Sequence, residues 1–522
     1  MRRRVRWWLI APALAACCVV VWALVIHDYE PKVRRIAQKR IETYFRSKFH
    51  SSVEISGLQV SSVFPRVHVT INDVVLRQYG DPTAPPVLQM QRVTFETKIA
   101  SILSHRPVIG TVWLDGLQIR IAPRPRGSRP LIQPTDDDLA NRYPVVIKTV
   151  HVKNAQLVIL PRDPAKLPHE FDLHSLTLGP LGFDRPAKFR TDLINPVPKG
   201  EIQSEGEFGP WQADDPGRTP VSGHYKFENA NLGTLRGLEG TLSSTGTFDG
   251  ALNFLTVKGE TDTPDFSLRA TNHPVDLQTT FSAMVDGTNG NTILKSVVAR
   301  FGHSTLAVKG EVVDRSPRRG RTIVLDAQTR GATVQDLLRL AIDADHPMMT
   351  GVALLHANID IGEGNSDLRD RMRLSGRFQI VGARFSAPVT AAKIQALSLK
   401  AQGKPNAQPV GDPATDFSGT LQVSDGLVRL SQLTFDVAGA AVALEGTYDV
   451  DSGELDLRGK LRMQAKLSQT TTGVKSFFLK AIDPLFEGKG AGTVLPIKIT
   501  GTKGKPAFAL DFHDKDNVEA RK

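Results

Sequence analysis

From Val53 to Phe512 the apolar residues of this chain recur, segment after segment, at every second position. A period of two places alternate side chains on opposite faces, so these segments are strands with one apolar and one polar face. Val67, Val69 and Ile71 alternate with His68, Thr70 and Asn72, after which Asn72-Asp73 is expected to turn the chain into Val74-Val75-Leu76. The same texture returns over residues 112–121 and 150–159.

The second half repeats the pattern apolar, x, Gly, x, apolar, centred on Gly223, Gly376, Gly419, Gly446 and Gly459. Glycine on an apolar strand face lets a sheet bend or another group approach closely. Alternation alone fits either a curled, open antiparallel sheet or a β-sandwich whose apolar face is its core. A single core seldom grows past about 250–300 residues. Because the texture barely changes along the chain, an elongated array in which each hairpin packs on its neighbours is expected. Loops punctuate it at residues 123–144, 161–168, 196–220, 315–321 and 404–413.

Helical spacing appears in three places. Val33, Ile36, Ala37, Ile41, Tyr44 and Phe45 mark a juxtamembrane amphipathic helix within residues 27–50. Val334, Leu337, Leu338 and Ala341 mark a short one over Thr333 to Ile342. Val474, Phe477, Phe478, Ala481, Ile482 and Leu485 form a strong stripe over Val474 to Phe486, suited to docking on the sheet end, a membrane or a partner.

Residues 7–26 contain no charge. Such a run crosses a ~30 Å hydrocarbon core as a helix, whereas a cleavable signal carries only about 7–15 apolar residues. Trp7, Trp8 and Trp22 suit the membrane interfaces, and Arg2, Arg3, Arg4 and Arg6 form a cytosolic tail over residues 1–6. The expected topology is a retained single-pass anchor with the body outside the cytosol. Leu14-Ala15-Ala16-Cys17 supplies a competing reading, a lipoprotein processed at Cys17.

The formal charge of +11 is concentrated beside that anchor, leaving only +3 for residues 51–522. Basic side chains there are attracted to anionic head groups. No basic stripe interleaved with aromatics follows, so nucleic acid is not an expected partner. Cys17 and Cys18 are the only cysteines, which removes disulfide and thiolate chemistry from the body. The 13 histidines form no pair at metal-ligand spacing, and Gly488-Lys489-Gly490-Ala491-Gly492-Thr493 lacks the spacing of a phosphate loop. No nucleophile elbow is present either. The expectation is a protein that is not an enzyme and carries no cofactor or metal.

The stretches over residues 376–405 and 417–463 resemble the C-terminal region of AsmA-like envelope proteins. Residues 474–508 are similar to that family's terminal helix and closing strands, and the anchor with residues 93–123 to its beginning. The middle matches only in texture. The resemblance implies an inner-membrane protein with a periplasmic β-groove that shields phospholipid acyl chains between membranes and maintains the outer membrane. It places the groove lining at Phe378, Ile380, Leu421, Val423, Leu444, Tyr448, Val450, Leu457, Leu461 and Met463, and docking at Val474, Phe477, Phe478, Ile482 and Leu485. Under this reading residues 51–200 form an N-terminal groove segment, 201–472 a central and C-terminal one, and 473–522 the closing helix and strands. An outer-membrane or envelope protein partner stays open. The alternative is an envelope assembly or scaffold factor that binds outer-membrane proteins through exposed strand edges.

Overall fold

The computed structural model describes residues 51–63, 66–78, 86, 88–98, 101, 108–121, 146–160, 168–181, 186–210, 212, 216–235, 237–269, 271–316, 320–342, 346–364, 366, 368–408, 415–466, 470, 493–502 and 505–511. The expected anchor with Trp7, Trp8 and Trp22, the expected juxtamembrane helix and the Val474 to Phe486 stripe with Phe477, Phe478, Ile482 and Leu485 lie outside the described residues. Strands dominate what is described, and the chain divides into two compact units.

In the first unit β1 (Ser51–Val63), β2 (Arg66–Gln78) and β3 (Leu88–Lys98) form an antiparallel meander. β2 runs straight through Asn72-Asp73. The expected turn there is a local irregularity instead, with Asp73 in the left-handed region at φ 51°, a conformation Asp tolerates without reversing the chain. β4 (Val108–Asp115) and β5 (Gln118–Ile121) both pair with β3, and then both run parallel to β6 (Val146–Ile159). The purely antiparallel sheet expected from the sequence is therefore corrected here. A tight hairpin can only reverse the chain, whereas the long connection over residues 122–145 can carry it back to start in the same direction. β7 (His169–Gly179) and β8 (Ala187–Pro196) restore antiparallel pairing. The apolar face carries Leu58, Val69 and Ile71 in one buried cluster and Val112, Val150 and Val152 in a second, and Val93 and Phe95 pack against both.

Most of β9 (Lys199–Phe208) and the first residues of β10 (Pro220–Asn231) also belong to the first unit. β11 (Leu238–Glu239) and most of β12 (Thr241–Ala251) belong to the second.

The rest of the second unit is one long antiparallel meander in which each strand pairs with the next. Its strands are β13 (Phe254–Leu268), β14 (Val275–Val285), β15 (Thr292–Phe301), β16 (Ser304–Ser316), β17 (Gly320–Thr333), β18 (Met349–Ile361) and β19 (Met372–Phe385). It continues through β20 (Thr415–Ser424), β21 (Leu427–Val437), β22 (Ala440–Asp449), β23 (Glu454–Met463), β24 (Thr493–Thr502) and β25 (Lys505–Leu510). Turn chemistry fixes the register: Asp425 and Gly426, at φ 51° and 75°, make the two-residue turn between β20 and β21. The repeat glycines mark close approach. The Ala443 carbonyl occupies the space a Cβ at Gly459 would need, and the Asp456 carbonyl does the same at Gly446. At Gly376 a Cβ would stand 2.8 Å from the His356 carbonyl.

Helix α1 (Val334–Ala341) forms where the sequence period changes. Thr333 caps it, its hydroxyl accepting from the Asp336 N–H at 3.4 Å. The Asp336 carboxylate in turn accepts from the His303 N–H (2.8 Å) and the Ser304 hydroxyl (2.7 Å), pinning the β15–β16 hairpin to the helix. Partial burial pushes the Asp336 carboxyl up, but the hydrogen bonds from Ser304, Thr333 and His303 outweigh this and hold it below the usual range. α1 packs on β17 and β18 and also on β13. A flat sheet would hold β13 and β17 ~19 Å apart, so the sheet curls toward this helix.

Two helices were not visible in the alternation. α2 (Leu368–Arg371) is a single turn before β19. α3 (Pro388–Ala401) has Pro in its first turn, and its carbonyl at Ala401 accepts from the Ala465 N–H at 2.9 Å. Apolar residues lie around several sides of α3, so it lacks the stripe that betrays a helix.

Candidate functional site

The strand register of the second unit aligns its inward side chains into rows that cross the sheet. One row runs Val257, Ala283, Leu294, Gly310, Leu325, Ile359, Leu374, Val423, Val428, Tyr448, Leu455, Gly501. Beside it runs Gly259, Phe281, Val297, Val308, Ala327, Ala357, Gly376, Leu421, Leu430, Gly446, Leu457, Ile499. Each row crosses β13 to β24, and at ~4.8 Å per strand the lane is ~53 Å long. Across both rows the Tyr448 hydroxyl is the one polar side-chain group.

Burial along these rows is unusual for an apolar strand face. The first row is half-buried throughout except at Ala283, and in the second only Ala327, Ala357, Leu457 and Ile499 are fully buried. A closed core would bury the large residues and leave the small ones indifferent. Here Phe281, Leu325, Ile359, Leu374, Leu421 and Leu430 keep contact with solvent while three alanines do not.

One side of the lane is walled. Ile394 and Ala401 of α3 are buried in the cluster that holds Phe417, Leu433, Val442, Leu444, Leu457, Leu461, Met463 and Leu495, and Leu397 packs against it. Ser398 donates to the Ala438 carbonyl at 2.8 Å, Gln402 to the same carbonyl at 3.3 Å, and Lys393 to the Pro506 carbonyl at 3.5 Å. Phe417 stacks on Phe435 with centroids 5.1 Å apart and meets Phe385 edge-on at 5.7 Å. These contacts tie α3 across the ends of β19 to β25.

The residues singled out from sequence thus separate into groups. Leu421, Val423 and Tyr448 stand on the half-open rows, and Phe378 and Ile380 are half-buried beside them. Leu444, Leu457, Leu461 and Met463 are only 4%, 7%, 7% and 4% exposed, inside the cluster that α3 helps close. Val450 lies beyond the end of β22 in a turn, its N–H donating to the Gly426 carbonyl at 3.0 Å. Phe281, Val297, Val308, Leu325, Ile359 and Leu374 do not stand out in the sequence as lining residues. Their period-two alternation was visible, but only pairing register shows that they extend the same rows.

Tyr448 differs from its neighbours. Its hydroxyl is buried with no hydrogen-bond partner among the described residues, although the residue as a whole is half-buried. Burial pushes its phenol pKa up, and the neighbouring Asp449 carboxylate adds to this. Among the described residues no His, Cys, Asp and Glu side chains gather in a metal-holding group, and no helix is long and apolar enough to cross a membrane.

No protein-family model, curated protein or solved structure matches this chain.

Proposed function

We propose that the second unit is an acyl-chain lane: phospholipid tails lie along its half-open apolar rows while the head groups stay in water, and lipid moves along the sheet without covalent chemistry. The observation that supports this best is the continuity of the rows, crossing twelve strands with a single polar side-chain group. A protein core has no need of a large apolar surface left half-open, and contiguous exposed apolar surface marks a binding face. Covering ~200 Å² of acyl and protein surface contributes about 5 kcal/mol at ~25 cal/mol per Å². That offsets much of what a lipid loses on leaving a bilayer.

The uncharged run over residues 7–26 would tether the chain to the inner membrane, with the body in the periplasm, in keeping with the resemblance to AsmA-like proteins. Lipid delivery for outer-membrane homeostasis follows as the biological role. A reporter fused after Lys522 should be active only when exported, and mature chains beginning at an acylated Cys17 would replace the anchor with a lipoprotein.

The lane itself is tested by capture in intact cells. A photoreactive residue in place of Leu374, on the first row, should crosslink radiolabelled phospholipid. The same residue in place of Ser375, exposed on the opposite face, should not. Equal capture at both positions, or none at either, would refute the lane.

A further inference from the structure

The lane contains one group that apolar packing does not account for. A Phe at position 448 would supply the same ring, yet the chain places a hydroxyl there and gives it no partner among the described residues. Its cross-strand neighbours, Val428 and Leu455, have no side-chain acceptor. Gly446, two residues away on the same face, puts no side chain beside the ring. An unmet buried hydroxyl is destabilising until something pairs with it.

We propose that Tyr448 is the hydrogen-bonding post of the lane, its phenol donating to an ester carbonyl of a diacyl lipid, so that the lane selects ester-linked over ether-linked lipid. This rests on the acyl-lane reading and specifies its substrate class. A diacyl lipid buries its tails but carries two ester carbonyls at the boundary between tail and head group, and these only accept. A phenol is a donor suited to them, and with an ordinary pKa of about 10 it keeps its proton at neutral pH. The ring already faces the lane, while the oxygen is closed off by its neighbours. Binding therefore requires a rotamer step that carries the hydroxyl outward to the carbonyl, and the step relieves the unpaired group. Head-group identity does not enter this contact. The post reads the linkage, and the apolar rows read the tails.

The test offers the full chain, carrying a photoreactive residue in place of Val423, to vesicles with equimolar diacyl and dialkyl phosphatidylethanolamine. The chain with Tyr448 should capture the diacyl lipid about fivefold over the dialkyl form, equivalent to about 1 kcal/mol and within the range of one net hydrogen bond. Tyr448→Phe should capture both equally. The variant should also unfold no more readily than the parent, because it removes an unpaired buried group. No linkage preference in the parent, a preference that survives in Tyr448→Phe, or a clear loss of stability in the variant would each overturn the proposal while lipid capture upheld the lane. Capture of neither lipid at position 423 or 374 would overturn the lane and the post together.

Discussion

Leu421 and Leu461 occupy equivalent places in the glycine repeat, and the structure gives them opposite sensitivities to charge. Leu461 is 7% exposed, with Val442 (2%) and Leu495 (7%) as its cross-strand neighbours. Leu461→Asp removes a buried side chain, a change worth about 2–5 kcal/mol as truncation alone. It also places a carboxylate where no partner waits, which adds at least another ~1–3 kcal/mol even if the group takes up a proton. The total approaches the ~5–15 kcal/mol that holds a typical domain together. Leu421 is half-buried on the open row. Leu421→Asp forfeits much of the ~1.5–3 kcal/mol of a fully buried Leu, about 1–2 kcal/mol, without a further charge-burial cost because its carboxylate can reach water.

All five tryptophans, at 7, 8, 22, 113 and 211, precede the strands in question, so their fluorescence would report on other parts of the chain. Peptide-level hydrogen exchange over residues 415–463 is the suitable assay. Leu461→Asp should collapse protection across β21 to β23. Leu421→Asp should leave it within about thirtyfold of the parent, as ~2 kcal/mol at most allows. Lipid capture through a photoreactive residue at 374 should nonetheless fall at least tenfold in Leu421→Asp, since an acyl chain crossing a bare carboxylate loses more than ~1.4 kcal/mol. Comparable loss of protection in the two variants would show that the row at Leu421 is closed core. Full lipid capture in Leu421→Asp would show that tails do not pass there.

Gly459→Ala should destabilise the β22–β23 pair by about 1–3 kcal/mol, read as lost exchange protection, because the Ala443 carbonyl holds the space a Cβ needs. Ile394→Glu should release α3, speeding proteolysis within residues 386–408 and bringing lipid capture to a photoreactive residue at 444, a site the parent keeps closed. Asp336→Asn should weaken the pinning of His303 and Ser304 to α1 by about 1 kcal/mol. Because the Asp336 carboxyl titrates lower in the folded chain than unfolded, its contribution is full above the ordinary carboxylate range and is lost as pH falls through the folded value. The variant should therefore show a flatter acid limb in protection of the β15–β16 hairpin.

What the sequence reveals depends on whether a feature is local. Alternation from Val53 onward announces strands because side-chain direction along a strand is fixed by the backbone alone. Thr333 and the stripe behind it announce α1 for the same reason, cap and period both lying within nine residues. The repeat glycines are legible as sites of close approach, though not which carbonyl approaches. The parallel course of β4 and β6 is not legible, since nothing in residues 108–121 states where the chain returns after 145. α3 hides because a helix that buries one face and leaves alanines on another shows no amphipathic period.

That helix is also what divides the candidate site. Leu421, Leu444, Leu457 and Leu461 look alike in the alternation, and register alone would set them all on one apolar face. Among the described residues, the ties from Ser398 and Gln402 to Ala438, and between Ala401 and Ala465, hold α3 on the cluster that contains Leu444 and Leu461 but not Leu421. Pattern therefore identifies the face, and tertiary contact decides how much of that face a ligand can reach. The unpaired hydroxyl of Tyr448 belongs to the second category, because a lack of partners is a property of the surroundings and not of the residue.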